Sequence, residues 1–359
     1  FFFKQKTAYE ISPRDWSSDV CSSDLRLVTR RGEAVAMLEQ LRRETGYTLL
    51  VAHEETGTGV TYARDRRVRR WARERGVTFV ERPQTGVVRR LPSRNGWNRL
   101  WENRMAAACP VTSRSTGAGG RATIQRLETA GLLGCRDLGQ TVDTKDRQHG
   151  GVTAARDVLD DFLGRRGRSY AGGISSPLTA PSSCSRLSPF LAFGALSIRT
   201  VWQATEARRR DVTAALAAVA NPRERAELKS WQRSLKAVQS RLHWHCHFMQ
   251  KLEDEPAVEW RNFSRAHDGL RPGDAGCEAP WRQDLFEAWC EGRTGYPLVD
   301  AAMHQINQTG YMHNRLRMVV ASFLTKDLGL HWQRGEAYFA QQLIDFDLAA
   351  NNEIGRAHV

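Results

Sequence analysis

The sequence lacks the features that would place it in a membrane or cross-link it covalently. No stretch of its 359 residues approaches the roughly 18 consecutive apolar residues of a membrane-spanning helix. It has seven cysteines, an odd number, and no C-x-x-C pair, so neither a disulfide framework nor a zinc site is indicated. We therefore expect a protein of the reducing cytoplasm, without a metal.

Acidic residues are scarce relative to basic ones. The chain carries 53 Lys and Arg against 40 Asp and Glu, which gives a formal net charge of +13 and a pI near 9.8. This excess indicates a polyanionic partner, most often nucleic acid, although an Arg-rich genome would give the same balance. The length suits two domains with a sizeable core.

Both ends of the chain resemble translated sequencing adapter. Residues 1–25 contain KQKTAYE and DWSSDVCSSD, and residues 353–359 read EIGRAHV. The tail corresponds to the reverse complement of the adapter at the head. We therefore exclude 1–25 and 353–359 as adapter-derived, not native, the alternative being a genuine disordered head and tail. On this interpretation the rest is a gene fragment truncated at both ends.

Between these ends the pattern changes from mixed strand and helix to helix alone. Apolar spacing predicts helices over 32–45 and 61–76, and short apolar runs predict strands over 47–55 and 77–82. This alternation is typical of a parallel α/β layer, whose first strand would lie before residue 26. Residues 105–150, rich in Gly, Ser, Thr and Ala, predict an interdomain linker. Helices are predicted beyond it over 152–164, 194–220, 224–252, 298–307, 311–327 and 334–344.

Two stretches carry groups suited to a charged, planar ligand. In CSRLSPFLAFGALSIR (184–199), Ser185 and Ser188 flank Arg186 before a helix whose first turn holds Pro189. Hydroxyls and N–H groups at a helix start suit a phosphate, although an ordinary helix start looks the same. In DFDLAANN (345–352), paired carboxylates and amides suit a ring edge that both donates and accepts hydrogen bonds. A metal site is the alternative there, but no further clustered ligand supports it.

A third stretch, EGRTGYPLVDAAMHQINQTGYMHNRLRMVVASFLTKDLGLHW (291–332), combines two helices with a break at Gly310. Asn314, Arg315 and Arg317 fall on the first turn and a half of the second helix. There they would face a phosphodiester backbone, although a solvated helix face would show the same residues.

In this order and spacing, the three stretches resemble the FAD-binding helical domain of the DNA photolyase/cryptochrome family over essentially all of 151–352. In that family they read Ser-Arg-Leu-Ser-Pro, Gly-x-Thr-Gly-Tyr-Pro-x-Val-Asp-Ala, Met-His-Asn-Arg-x-Arg-Met and Asp-x-Asp-x-Ala-x-Asn. Residues 32–91 resemble the family's antenna domain without its first strand. The resemblance implies an α/β N-terminal antenna-type domain over 26–104 plus an all-α FAD-binding domain over 151–352, its C-terminal part missing.

The implied cofactor is FAD, with a folate or deazaflavin as antenna pigment. The residues that the resemblance assigns to FAD are Tyr170, Cys184, Ser185, Arg186, Leu187, Ser188, Arg317, Asp345, Phe346, Asp347 and Asn351. Among these, Asn351 would face the flavin N5, Arg317 would pair with Asp345, and Cys184 stands where the family usually has Thr. Because the rest of the pocket would lie beyond residue 352, we expect this chain to bind FAD poorly.

The implied activity is light-driven repair of pyrimidine dimers in damaged DNA, by electron transfer from reduced FAD in a monomeric protein. Trp244 would stack on a flipped-out lesion, and Trp332 would belong to the Trp chain that reduces the flavin. Trp281 is a candidate for the surface member of that chain, although its spacing to Trp289 is shorter than in the family. The implied DNA contacts are Arg241, Trp244, His245, Asn314, Arg315, Arg317 and Met318.

Departures from the family pattern leave the substrate open. Arg241 stands where the family has Glu, and His245-Cys246-His247 replaces Arg-Glu-Phe after Trp244. Photolyases for the (6-4) lesion carry His at the position of Asn314, which favours cyclobutane dimers here. Asn351 favours repair over the alternative of a cryptochrome-like blue-light photoreceptor. A flavin-free DNA-binding module is a third reading, disfavoured by the flavin motif.

Overall fold

The computed structural model describes residues 28–109, 146–262 and 264–351, together with residue 127. The two segments predicted to be adapter (1–25 and 353–359), Asn352 and most of the predicted linker lie outside the described residues. Within the described residues, no helix combines the length and the apolar character required to cross a membrane.

The N-terminal part is a small α/β layer. It contains α1 (Ala34–Thr45), β1 (Leu49–His53), α2 (Gly59–Glu74) and β2 (Thr78–Arg82). The two strands pair in parallel, with Leu49 opposite Thr78, so α2 is the crossover between them. The predicted strand–helix alternation is confirmed. α2 begins two residues before its predicted start because the Thr58 hydroxyl accepts a hydrogen bond from the Thr61 N–H and caps it.

A helix that the sequence analysis did not predict, α3 (Trp97–Ala106), follows the α/β layer. Its side chains Trp97, Trp101 and Met105 are buried in the same apolar cluster as helices of the C-terminal part. The predicted boundary after residue 104 therefore falls inside a helix that packs on the helical body.

The rest of the described chain is helical, which confirms the predicted fold class. Its helices are α4 (Val152–Gly164), α5 (Tyr170–Gly173), α6 (Ala180–Ser183), α7 (Ser188–Phe193), α8 (Ile198–Ala218), α9 (Pro222–Asp254), α10 (Gln283–Glu291), α11 (Pro297–Thr309), α12 (Asn314–Ser322) and α13 (Trp332–Gln342). Short 3-10 turns occur at Arg166–Ser169, Pro256–Glu259 and Arg265–His267, and a π turn, Phe323–Asp327, follows α12. The predicted helix over 311–327 therefore starts later and changes to π geometry at its end.

The longest helix of this part, α9, supplies a large share of its first apolar core. The Asn221 side chain accepts hydrogen bonds from the N–H groups of Arg223 and Glu224, and Pro222 occupies the first turn. The helix therefore begins just before its predicted start at 224. One stripe of α9 is buried in the first helical core, namely Trp231, Leu235, Val238, Leu242 and Cys246.

A second core lies around Trp289, Met303 and Leu324, built by α10 to α13. Leu187 belongs to the first core, whereas Leu343 belongs to the second. The residues predicted to bind a cofactor, in 184–188 and 345–351, thus lie where the two cores meet.

A strap formed by residues 86–90 docks the N-terminal part on α9. The buried Gln250 side chain accepts from the Val88 N–H at 2.7 Å and donates to the Val88 carbonyl at 3.0 Å. One turn earlier, the Cys246 thiol accepts from the Gly86 N–H at 3.4 Å. Gly86 is required because a Cβ there would overlap the Trp101 ring. Side chains of α9 therefore satisfy the strap's backbone groups in place of a neighbouring strand.

Candidate functional site

Asp345 joins three segments of the chain at the junction of the two cores. One Arg317 nitrogen, Nη2, donates to both of its carboxylate oxygens, at 2.8 and 2.9 Å, and the Ser188 hydroxyl donates to Oδ2 at 2.7 Å. Arg317 and Asp345 are each 8% exposed. The expected Arg317–Asp345 pair is confirmed. Because charge-assisted hydrogen bonds are strong, the pair fixes α12, α7 and the 343–347 segment relative to one another.

The segment before α7 has an unusual backbone at Arg186. This residue has a φ of +58°, a left-handed conformation that is uncommon outside glycine. Its carbonyl accepts a hydrogen bond from the Gln148 side chain at 2.9 Å, and Arg166 donates to the carbonyls of Cys184 and Ser185. These contacts direct the Arg186 side chain towards Tyr311, where its guanidinium lies 4.2 Å from the ring centroid.

Two tyrosines form the apolar side of this site. Tyr311 lies between Arg186 and Arg317, whose guanidinium is 5.9 Å from its ring, and burial raises its pKa. Tyr170 is buried against Phe162, and burial raises the pKa of its hydroxyl to about 12. Burial also raises the pKa of the nearby Cys184 thiol. All three groups are therefore neutral at physiological pH, and the charges in the site are those of the arginines and carboxylates.

The 345–351 segment closes the site with a capped turn. The Asp347 carboxylate accepts from the Ala350 N–H at 2.9 Å, and its carbonyl accepts from the Asn351 N–H at 2.9 Å. Phe346 packs on the second core. This arrangement places Asn351 one helical turn after Asp347.

Two buried donors in this region have no hydrogen-bond partner among the described residues. They are Nε of Arg186 and Nδ2 of Asn351. An unsatisfied buried donor costs about 1–3 kcal/mol, so both atoms are available to a ligand with acceptor groups. Atoms outside this region, such as Nε1 of Trp101, also have no partner among the described residues. A guanidinium N–H suits a phosphate and an amide N–H suits a heteroaromatic ring, so the donors present fit FAD.

The predicted lesion-stacking residue, Trp244, lies on α9 and is 50% exposed. The Arg241 guanidinium lies 4.6 Å from the centroid of the Trp244 ring, at cation–π distance. The Phe248 ring packs edge-on against Trp244, with the two ring centroids 6.3 Å apart. Exposed aromatic surface next to a cation suits a base and its phosphate.

At the start of α12, some of the residues predicted to contact DNA are exposed to solvent and one of them is buried. Asn314 and Arg315 are exposed, and Met318 is half-buried one turn later. Arg317 is buried, and its donors are engaged by Asp345 and by the Met312 carbonyl at 2.9 Å. The prediction that Arg317 faces a phosphodiester backbone is therefore corrected: its guanidinium is buried against the Asp345 carboxylate and is not presented to DNA.

Of the three residues after Trp244, two make contacts inside the protein. Cys246 is fully buried against the strap. The His247 ring hydrogen-bonds to Arg94 at 2.7 Å, and Arg94 also pairs with Asp254 at 2.9 Å. His245 is half-buried, so of the three substituted positions it remains the one candidate for a DNA contact.

The two tryptophans predicted to take part in electron transfer, Trp332 and Trp281, make different contacts. The Trp332 indole donates to the Asn262 side chain at 2.8 Å. Trp281 lies 5.4 Å from Phe286, which stacks at 6.0 Å on the fully buried Trp289. Both predicted members are thus half-buried near the surface of the second core. Among the described residues, no group of three or more His, Cys, Asp or Glu side chains lies close enough to hold a metal ion.

Sequence reasoning missed Tyr311 and Gln148. Tyr311 directly precedes the Met-His-Asn-Arg stretch, so its position beside a recognised motif was an available signal. Gln148 lies at the end of the predicted linker, and no local pattern marks its contact with the Arg186 carbonyl.

Comparisons with known proteins agree with this geometry. The family described as the FAD binding domain of DNA photolyase matches residues 238–356. This match covers most of α9, all of α10 to α13 and the 345–351 segment, and identifies them as part of a photolyase-type FAD-binding domain.

Curated relatives carry the name deoxyribodipyrimidine photo-lyase. The protein of a Synechococcus species is 40% identical over 204 residues, which are 56% of this chain and 37% of that protein. The Streptomyces griseus protein is 31% identical over 339 residues, 91% of this chain and 65% of that protein. A shorter region of 67 residues is 70% identical to the Escherichia coli protein. The chain thus spans less than two thirds of these relatives.

Solved structures resemble almost the whole chain. A bacterial class III photolyase from Agrobacterium tumefaciens matches with a TM-score of 0.71 and 27% identity, over 96% of this chain and 68% of that one. A Synechocystis cryptochrome matches with a TM-score of 0.71 and 22% identity, over 96% of this chain and 69% of that one, which shows the shared fold. Motifs, fold and relatives agree: the chain belongs to the DNA photolyase/cryptochrome family.

Proposed function

We propose that this protein repairs pyrimidine dimers in DNA with light, using FAD held between α7, α12 and the 345–351 segment. The observation that carries the proposal is the pair of unsatisfied buried donors, on Arg186 and Asn351, beside the satisfied Arg317–Asp345 pair. The names of the relatives support the reaction type.

When bound in its reduced form, FAD supplies the electron chemistry, while the protein binds and orients it. Arg186 and the Ser185 hydroxyl would hold its phosphates, because a guanidinium and a hydroxyl both donate to phosphate oxygens, whereas the Ser188 hydroxyl already donates to Asp345. Asp345 and Asp347 would accept hydrogen bonds from the cofactor. The Asn351 amide would face the flavin N5, to which it can donate through Nδ2 or from which it can accept through its oxygen.

On the DNA side, Trp244 stacks on the extruded dimer. Stacking on an aromatic ring contributes about 1–3 kcal/mol per base, which offsets much of the few kcal/mol that flipping costs. Arg241 lies against the Trp244 ring and His245 follows it on α9, whereas Asn314, Arg315 and Met318 lie on α12. In this proposal all five contact the lesion or its phosphates. Because Asn314 is exposed at the start of α12 and is not a His, we propose cyclobutane dimers as the substrate over (6-4) lesions.

The proposal is tested on protein expressed from the full-length gene. Flavin absorption is recorded, and DNA with defined cyclobutane or (6-4) lesions is assayed under blue light and in the dark. Light-dependent loss of cyclobutane dimers is expected. Bound flavin with no repair of either lesion would instead identify a cryptochrome-like photoreceptor, and absence of flavin would overturn the cofactor assignment.

A matched pair of variants tests the role of Trp244. Trp244→Ala is expected to weaken binding of damaged DNA about fivefold to a hundredfold, as a stacking loss of about 1–3 kcal/mol implies, with flavin content unchanged. Trp260→Ala is the control, because Trp260 is also exposed, at 57%, and lies elsewhere. Equal losses in both variants would show that Trp244 has no special role.

A further inference from the structure

After its first two turns, α9 carries an unusual distribution of charge. Residues 228–252 contain no Asp or Glu, although 33-residue α9 is largely polar outside its buried stripe. The same stretch contains Lys229, Arg233, Lys236, Arg241 and Lys251. A helix that only needs a solvated surface usually mixes both signs of charge.

Three of these cations share one exposed face of the helix. Lys229, Arg233 and Lys236 are exposed and follow one another at i, i+4 and i+7, so they project on the same side. Trp231 and Leu235, in between, are buried and face the opposite side. We name Lys229, Arg233 and Lys236 the α9 basic face.

The α9 basic face leads directly to the lesion-stacking residue. Ser240 and Trp244 continue the same spacing at i+11 and i+15 from Lys229, and both are exposed. At a rise of 1.5 Å per residue, Lys229 lies about 22 Å along the helix from Trp244. The face is therefore an extension of the candidate site and not a separate patch.

These cations lack carboxylate partners. Within the described part of the chain, none of the three forms an ion pair, whereas Arg209 on α8 pairs with Glu206 at 2.8 Å and Arg223 pairs with Glu227 at 3.6 Å. Like charges three or four residues apart repel one another on a helix. An anionic partner would remove this repulsion.

We propose that the α9 basic face binds the phosphate backbone of the DNA arm that leads away from the lesion at Trp244. The proposal rests on the function proposed above and extends its DNA contacts. Since phosphates of one strand of B-DNA are 3.4 Å apart along the axis, about 22 Å corresponds to about six base pairs on one side of the lesion. The opposite arm does not reach this face.

The test replaces the three cations together and measures DNA affinity against salt concentration. Gln is the substitute because its helix propensity matches that of Lys and Arg. A control triple variant removes exposed arginines at the same i, i+4, i+7 spacing on α2, which likewise have no ion pair among the described residues. The two triple variants are K229Q/R233Q/K236Q and R66Q/R70Q/R73Q.

Counterion release gives the expected size of the effect. Each phosphate contact contributes about 0.9 to the slope of log affinity against log salt, so three lost contacts reduce the slope by about 2.7. Between 50 and 200 mM salt, the affinity of the α9 variant would therefore fall about 40-fold less than that of the unsubstituted protein. The α2 variant is expected to keep the original slope.

Asymmetric substrates test the direction of the arm. Duplexes carry one dimer with a long arm on one side and about two base pairs on the other, in both orientations. The α9 variant is expected to lose affinity for one orientation only. Three results would overturn the proposal. The first is an equal loss of affinity for both orientations, and the second is an equal salt slope in the two triple variants. The third is a loss of binding to anionic lipid vesicles while the salt slope for DNA stays unchanged.

The repair assay separates this proposal from the proposed function. Light-dependent repair with an unchanged slope in the α9 variant would reject the basic face alone. A reduced slope without repair by the unsubstituted protein would reject photolyase activity while leaving the face as a DNA-binding surface.

Discussion

Removing Arg317 should destabilise the protein strongly, through the charge that it leaves behind. In Arg317→Met, the Asp345 carboxylate stays 8% exposed with the Ser188 hydroxyl as its remaining side-chain donor. Loss of one member of a buried ion pair costs about 3–5 kcal/mol, because the other charge is left desolvated. The free energy of unfolding, measured in urea on flavin-free protein, should fall by that amount.

A double-mutant cycle separates this effect from lost packing. Arg317→Met/Asp345→Leu removes both charges and keeps apolar volume, so it should be more stable than Arg317→Met alone. Arg165→Met is the control, since it removes an exposed partner of Asp161 and should cost less than about 1 kcal/mol. A coupling energy below about 0.5 kcal/mol would refute the view that these two charges stabilise each other.

Three further predictions concern the strap, a buried carboxyl and a buried thiol. Gln250→Leu leaves the Val88 N–H and carbonyl without partners and should lower the free energy of unfolding by about 2–4 kcal/mol, measured in urea. Burial raises the pKa of Glu259, which accepts from the Gly59 N–H at the start of α2. The folded state thus holds this proton more tightly, so stability should fall as pH rises from the ordinary to the raised pKa, and Glu259→Gln should remove that fall. Burial also raises the pKa of Cys290 to about 12, so its thiol should resist alkylation at about pH 8 in native protein, as mapped by mass spectrometry.

Each of these outcomes has a control and a contrary result. Gln232→Leu, which removes an exposed hydrogen bond to Thr213, should change stability by less than about 0.5 kcal/mol, and a similar loss in both Gln variants would contradict the strap interpretation. A stability difference between Glu259→Gln and unsubstituted protein that is the same at low and neutral pH would contradict the carboxyl assignment. Alkylation of Cys290 as fast as of half-buried Cys277 would contradict its protection.

Much of the fold was predictable because its determinants are local. Short apolar runs predicted the parallel strand pair, and period-3.6 patterns predicted the long helices from Val152 onward but not α10. The Asn221 and Thr58 caps account for small differences at the starts of α9 and α2. The Arg317–Asp345 pair was predictable from the family motifs, although 28 residues separate the two. These motifs record contacts that spacing alone does not show.

Non-local contacts were not predictable in the same way. Helix α3 was missed because its pattern lies between a strand and a Gly-rich stretch, and it acquires its core only by packing on α8 and α9. The burial of Arg317 was missed because a helix start in sequence does not reveal which face meets another segment. The strap depends on side chains of α9 about 160 residues away in the chain.

The departures from the family pattern around Trp244 divide into two kinds once their contacts are known. Cys246 accepts from the strap and His247 binds Arg94, so both substitutions follow from how the N-terminal part docks on α9. Arg241, in contrast, lies against the exposed Trp244 ring, where it adds a positive charge beside the lesion position. It continues the sign of charge of the α9 basic face towards that ring. Arg241, together with half-buried His245, is thus a substitution whose effect should appear in DNA binding and not in stability.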